Sequence, residues 1–168
     1  MTDQNPVQTL LDYEDIRRAL AVYSVAIDSQ DFALFDECFT PDAEIDLAGM
    51  TKMSPASYRE LATAGLSALD GTQHHLGLPL IRLVGDRAHA RTYFMAQHVK
   101  NALAPAACLL IGGWYTDELV RTERGWRIAK RQGAAVWYDG NPMVLGYDFP
   151  MGAVPRHAGH AAPEWVTG

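Results

Sequence analysis

Apolar residues recur at three- and four-residue intervals from about Val7 to Ile27, with Ile16, Leu20, Tyr23 and Ile27 on one stripe. That is the spacing of an α-helix with one buried face. Charged residues (Asp12, Glu14, Asp15, Arg17, Arg18) crowd its first half. A second, short helix is predicted from Asp31 to Phe39, where Phe32, Phe35 and Phe39 share a side. The stretch TPDAEIDLAG then reads as a turn and a short strand. Ser54–Pro55 marks a helix start, with serine at the N-cap and proline at the first helical position. This third helix is predicted to run to about Leu69.

After Gly71 the pattern shifts to strand-like runs: QHHLGLPLIRLV, RAHARTYFMAQHVK, AACLLIGGWYTDELVR and GWRIAKRQGAAVWY. Gly85–Asp86 and Arg124–Gly125 are tight-turn signals between them. A helix-rich first half followed by a meander predicts an α+β fold. Its expected form is a cone-shaped roll, a curved mixed or antiparallel sheet with three N-terminal helices enclosing a pocket. The hollow between sheet and helices is the default ligand site. Residues 1–140 form the expected domain. Residues 141–168, with Pro142, Pro150, Pro155 and Pro163, read as an irregular tail on the pocket mouth or on a neighbouring subunit.

Composition narrows the function classes. The chain has 168 residues, 48% apolar and 20% charged, enough for a packed core. A net charge of −6, with no Lys/Arg cluster, argues against nucleic-acid and anionic-membrane partners. No apolar stretch is long enough to span a bilayer. The acidic, polar start has no signal-peptide pattern, so a cytoplasmic protein is expected. Cys38 and Cys108 are far apart and read as free, buried thiols. There is no P-loop, GxGxxG or GxSxG motif. Gly112–Gly113 within a strand suggests a bulge or a close approach. His157 and His160 form an HxxH without an acidic or cysteine partner at metal spacing. No metal and no cofactor is expected.

The candidate chemistry starts at GTQHHLGLP. In a strand His74 shares a face with Leu76 and Leu78, and His75 takes the other face. Beyond Pro79 the apolar parity passes to Ile81 and Leu83, which predicts a bulge or twist. Parity alone favours a packed core role for His74. Asp28 ends the first helix; it, or Asp31, could cap the next one, or it could hold an imidazole and make it a general base. Tyr23 lies five residues earlier, about 140° around an ideal helix from Asp28. It shares a site with Asp28 only if the helix end unwinds. Arg131 lies off the parity of Trp126 and Ile128, so it faces outward unless a bulge intervenes. His98 shares parity with Thr92, Phe94 and Ala96; it lines the hollow if that face is concave, and otherwise sits at a strand end near solvent.

The segments YSVAIDSQDFALFDECFTPDAEID, TQHHLGL with GDRAHARTYF, and LLIGGWYTDELVRTERGWRIAKRQG resemble the SnoaL-like branch of the nuclear transport factor 2-like superfamily. That branch includes scytalone dehydratase, bile acid 7α-dehydratase and hexachlorocyclohexane dehydrochlorinase. The resemblance runs from about Asp12 to Asn141 and implies the same α+β cone. It implies that Asp28 pairs with His74 of a T-x-H motif, that Arg131 reaches the site, and that Tyr23 joins it. His98 falls near a second active-site histidine of one relative, whereas another has an acid there. The implied activity is a cofactor-independent lyase, a dehydratase- or dehydrohalogenase-like elimination with His74 as base. An isomerase or cyclase would share the same proton removal. A hydrophobic-ligand-binding protein and a dioxygenase β-subunit-like protein are the non-catalytic alternatives. Phe94, Ala96, Ile111, Tyr115 and Trp137 are the expected lining for a small, largely apolar cyclic substrate. His75, Tyr93 and Met95 belong to the convex face, through which a homodimer or homotrimer is expected.

Overall fold

The computed structural model describes residues 5–47, 52–146 and 162–166. Helix α1 (Pro6–Ser29) is capped by the Asn5 side chain and stops at Gln30, whose φ of 56° is left-handed. Its buried face is Asp12, Ile16, Ala19, Leu20, Tyr23, Ala26 and Ile27, the predicted stripe with an acidic residue added at its start. A 3₁₀ turn (Phe32–Leu34) and a single-turn helix α2 (Phe35–Cys38) follow. The predicted second helix is therefore shorter and broken. Strand β1 (Phe39–Leu47) begins at Phe39, which pairs with Ile128, so no turn precedes it. Helix α3 (Pro55–Leu66) starts as predicted, with the Ser54 side chain accepting from the backbone N–H of Ser57. It ends three residues before the predicted Leu69.

The sheet contains β2 (Gly71–Leu76), β3 (Leu80–Val84), β4 (Arg87–Val99), β5 (Cys108–Thr122) and β6 (Gly125–Gly140). Its order is β1-β6-β5-β4-β2, with β3 also on β4. β1 runs parallel to β6, and the other pairs are antiparallel. Both tight turns lie where predicted, with Gly85 at φ 58° and Gly125 at φ 92°. The fold is the expected α+β cone with a mixed, curved, open sheet. Its core combines the α1 stripe with Phe32, Phe35, Phe39, Tyr58, Tyr115, Leu119, Trp126 and Ile128. Each large apolar side chain so buried contributes about 1.5–3 kcal/mol.

Three irregularities decide which side chains face the interior. Leu76 pairs with Phe94 but Leu80 with Arg91, so four residues on one side span three on the other. That extra residue is the predicted parity switch after Pro79. In β6, Lys130 pairs with Glu118 and Ile128 with Leu119, which skips Ala129. The skip lets Trp126, Ile128 and Arg131 all be buried, at 1%, 0% and 0% exposure. Trp137 pairs with Gly112 and Ala135 with Gly113, which skips Val136.

The Asp12 carboxylate accepts from both terminal nitrogens of Arg121 and from the Trp126 indole, tying α1 to the β5–β6 hairpin. These hydrogen bonds, led by Arg121, pull its carboxyl down to about 2. Cys38 is buried and Cys108 is exposed, which corrects the expectation of two buried thiols; both are free. Burial pushes the Cys38 thiol up to about 12. In the tail, Trp165 stacks on His89, on the convex face next to β3. His157 and His160 lie outside the described residues. No described helix is long and apolar enough to cross a membrane.

Candidate active site

Asp28 sits in the last turn of α1, against β2. Its Oδ2 accepts the backbone N–H of His74 at 2.7 Å, and its Oδ1 lies 2.8 Å from His74 Nδ1. An ionised carboxylate can only accept, so Nδ1 carries the proton and Nε2 is left with the basic lone pair. The backbone bond fixes the strand to the carboxylate, and the side-chain bond fixes the ring. His74 turns inward with its side chain 9% exposed, while Asp28 is 25% exposed; His75 is exposed on the other face. Asp31 makes no side-chain cap of the following turn, so the capping role falls to neither aspartate.

His98 comes from the neighbouring strand, with its ring 5.6 Å from the His74 ring and nearly perpendicular to it. It is buried, and its Nδ1 has no hydrogen-bond partner. Burial, reinforced by the adjacent His74, lowers its pKa to about 4, so the ring is neutral at pH 7. The concave face also carries Thr72, opposite His98, and Ala96, opposite His74.

Tyr23 and Arg131 belong to a second cluster. The Arg131 guanidinium carbon lies 4.2 Å from the Tyr23 ring centroid and 4.3 Å from that of Tyr115. Its Nε and Nη2 donate to the two carboxylate oxygens of Asp117 at 2.7 and 2.9 Å. The hydroxyls of Tyr23 and Tyr58 are 2.6 Å apart. Burial raises the pKa of all three tyrosines, so their hydroxyls stay protonated. Burial also raises the Asp117 carboxyl, against the pull of Arg131. Desolvation works against the Arg131 charge, but Asp117 more than reverses this and raises its pKa overall.

The structure thus gathers Asp28, His74 and His98 at one place and Tyr23, Tyr115 and Arg131 at another. Along β4, Ala96 opposite His74 and Ala90 opposite Asp117 are six residues apart, roughly 20 Å of strand. Helix α1 continues to Ser29 without unwinding, so Tyr23 and Asp28 keep different faces. Phe94 joins the two clusters, paired with Leu76 and stacked on Tyr115 at 4.6 Å. Phe94, Ala96, Ile111 and Tyr115 share the concave side by register. Trp137 does not join them. The skipped Val136 turns it to the convex face, where it is 43% exposed and lines a cleft with His75, Tyr93, Met95 and Trp114.

Tyr58, Asp117 and Ser24 were missed from the sequence. Asp117 had a signal, an acid on the parity of Tyr115 and Leu119. Tyr58 and Ser24 sit on amphipathic helices with nothing to mark them. Two clefts, of about 610 and 320 Å³, lie away from Asp28 and His74. The larger is rimmed by Asp36, Arg124 and Arg127, whose charges are already satisfied in ion pairs. Buried polar atoms without partners occur beside the Asp28–His74 pair, at Ser24, Thr72 and His98, and also at Thr40 in the larger cleft. Among the described residues, no three His, Cys, Asp or Glu side chains form a group able to hold a metal ion.

Comparison with known proteins agrees with this architecture. Residues 8–132 match the model of the SnoaL-like domain, so the chain belongs to that family. An uncharacterised protein of Mycobacterium tuberculosis is 36% identical over 128 residues, covering 74% of this chain and 86% of the relative. A candidate scytalone dehydratase from Novosphingobium aromaticivorans superposes with a TM-score of 0.73 at 21% identity, covering 96% of this chain and 100% of that one. Hexachlorocyclohexane dehydrochlorinase LinA-type3 from Novosphingobium barchaimii gives 0.72 at 16% identity, covering 87% and 99%. At these identities the structures share the fold.

Proposed function

We propose that this member of the SnoaL-like domain family is a lyase that removes a proton from a small cyclic substrate with its own side chains. The observation that carries this is the double grip of Asp28 on His74, at the side-chain and backbone nitrogens. Nε2 takes the proton from carbon. The C–H electron pair becomes the new double bond, and the leaving group departs with its own bonding pair. A departing hydroxyl recovers the proton from Nε2–H and leaves as water. A positioned base of this kind is worth on the order of 10²–10⁴-fold in rate. Phe94, Ala96 and Ile111 hold the apolar body of the substrate. The Arg131–Asp117 ion pair, walled by Tyr23 and Tyr115, supports Phe94 rigidly from behind. An isomerase or cyclase would use the same first step. The dehydratase and dehydrochlorinase named among the structural neighbours favour elimination. In the same reading the convex face, with Tyr93 and Met95 exposed, is the contact between copies of the chain.

The test is deuterium uptake from D₂O at the carbon beside the carbonyl of a bicyclic ketone such as 2-decalone. The wild-type chain should exchange it catalytically, and His74→Gln should lose at least about 10²-fold. Exchange that persists in a folded His74→Gln variant would overturn the assignment of the base.

A further inference from the structure

The larger cleft, of about 610 Å³, lies between the start of β1, the start of α3 and the β5–β6 turn. It is far from the Asp28–His74 pair. Ile111 stands across β4 from His74, and Thr122 at the cleft is eleven residues further along β5, roughly 35 Å of strand. An irregularity in β1 opens this cleft. Between Phe39 and Glu44 the chain advances five residues while β6 advances two, from Ile128 to Lys130. The surplus carries Thr40 and Pro41 out of the ladder, where a proline without an N–H costs no hydrogen bond. Phe35, Phe39 and Pro55 form the apolar floor. Phe35 stacks on Tyr58 and Phe39 meets Tyr23 edge-on, so the floor is held rigid from behind.

Thr40 lines the cleft and is only 6% exposed, yet its Oγ1 has no hydrogen-bond partner. Buried polar atoms are nearly always paired. Valine has the same branched shape and would fill this place without an unpaired hydroxyl. The charges at the rim, by contrast, are matched. Arg124 and Arg127 both donate to Glu37, and Arg59 donates to Asp36. Glu123 adds a negative charge there. A guanidinium held by carboxylates still offers its flat face to an aromatic ring. Arg121 does so in this chain, bonded to Asp12 and Asp86 and lying 4.8 Å from the Trp126 ring centroid.

We propose that this cleft is a second ligand site, built for an uncharged aromatic molecule that carries a hydroxyl, a simple phenol. The ring lies on the apolar floor with the Arg124 guanidinium over it, and the hydroxyl pairs with Thr40 Oγ1, which can donate or accept. The volume is of the size that takes small molecules. An anion is disfavoured, because it would be desolvated beside cations already paired and near Glu123. The site uses neither Asp28 nor His74 and does not rest on the proposed function.

Three probes of one shape test this: p-cresol, toluene and p-toluate, titrated into the full chain with amide NMR shifts as the readout. p-Cresol should bind saturably, with its largest shifts at Phe39, Thr40, Thr122 and Arg124 rather than at His74. p-Toluate should bind at least about tenfold more weakly. Thr40→Val, nearly isosteric, should lower the ratio of p-cresol to toluene affinity about fivefold, the worth of one hydrogen bond. Without ligand, the same variant should keep or raise the urea midpoint, because it removes an unpaired buried hydroxyl. Arg124→Ala, at the exposed rim, should weaken p-cresol and toluene alike by about threefold, through loss of the stacking face. The proposal is overturned by any of five results: no saturable binding of p-cresol, shifts centred on His74, p-toluate binding as tightly as p-cresol, an affinity ratio untouched by Thr40→Val, or p-cresol binding unchanged in Arg124→Ala. A lower urea midpoint for ligand-free Thr40→Val also overturns it, since the hydroxyl would then have a partner within the chain.

Discussion

Replacing Asp28 by asparagine separates the orientation of His74 from its packing, because the two side chains have nearly the same volume. In the native chain one carboxylate oxygen accepts from the His74 backbone and the other faces Nδ1, at 2.7 and 2.8 Å. Asparagine can satisfy both contacts only with its oxygen on the backbone N–H and its amide N–H toward Nδ1. Nδ1 must then be the lone pair, and the ring proton moves to Nε2. Both hydrogen bonds persist, so the stability change should stay near or below about 1 kcal/mol. The base, however, now presents a proton where it needs a lone pair. The expected loss is about 10²–10⁴-fold in proton abstraction, or roughly 3–5 kcal/mol on the barrier. The tautomer is read directly by long-range ¹H–¹⁵N correlation in ¹⁵N-histidine-labelled protein, with no substrate required. Wild type should show Nδ1–H and Asp28→Asn should show Nε2–H, with similar urea midpoints. An unchanged tautomer, or deuterium exchange within tenfold of wild type, would refute the reasoning.

Asp117→Asn leaves the buried Arg131 charge without its counter-charge and should cost about 3–5 kcal/mol in urea unfolding; a loss under about 1 kcal/mol would show that the aromatic rings alone suffice. Hydrogen bonds led by Arg121 hold the Asp12 carboxyl at about 2 in the folded chain, below its ordinary 3.8. Its contribution, about 2 kcal/mol, is therefore complete above about pH 4 and lost as pH falls toward 2. Asp12→Asn should flatten that part of the acid stability curve, and parallel curves for both proteins would contradict it. Light scattering should give the wild-type chain a mass that is a multiple of 18.5 kDa, reduced by Met95→Lys; a monomeric wild type would remove the convex face as a contact between copies.

Much of the fold could be read locally because it is encoded locally. The stripe Ile16, Leu20, Tyr23, Ile27 needs only the helical period, and Ser54–Pro55 and the two tight turns need only their own side chains and backbone preferences. The parting of His74 from His75 follows from strand alternation. The second helix was overextended because Phe39 fits the helical stripe as well as it fits β1, and its ladder partner Ile128 is distant in sequence. Asp12 extends the buried stripe of α1, but only Arg121 and Trp126, more than a hundred residues on, make an acid tolerable there.

The site was harder to read for one physical reason. A bulge adds a residue on one strand without marking it, and every side chain beyond it changes face. Counting from Trp126 sends Arg131 outward; the skipped Ala129 brings it in, onto Asp117. Counting on from Arg131 sends Trp137 inward; the skipped Val136 turns it out. Ala129 and Val136 have nothing unusual in their own chemistry, so only the partner strand reveals them. Glycine at 113 is the partner's trace, since a Cβ there would lie 1.9 Å from the Ala134 carbonyl oxygen. The close approach suspected at Gly112–Gly113 is thus the second bulge seen from the opposite strand. It divides β6 into a stretch that carries Arg131 to the interior and a stretch that carries Trp137 away from it. The apolar middle of the concave face is left to Phe94, Ala96 and Ile111, and the polar groups are confined to its two ends.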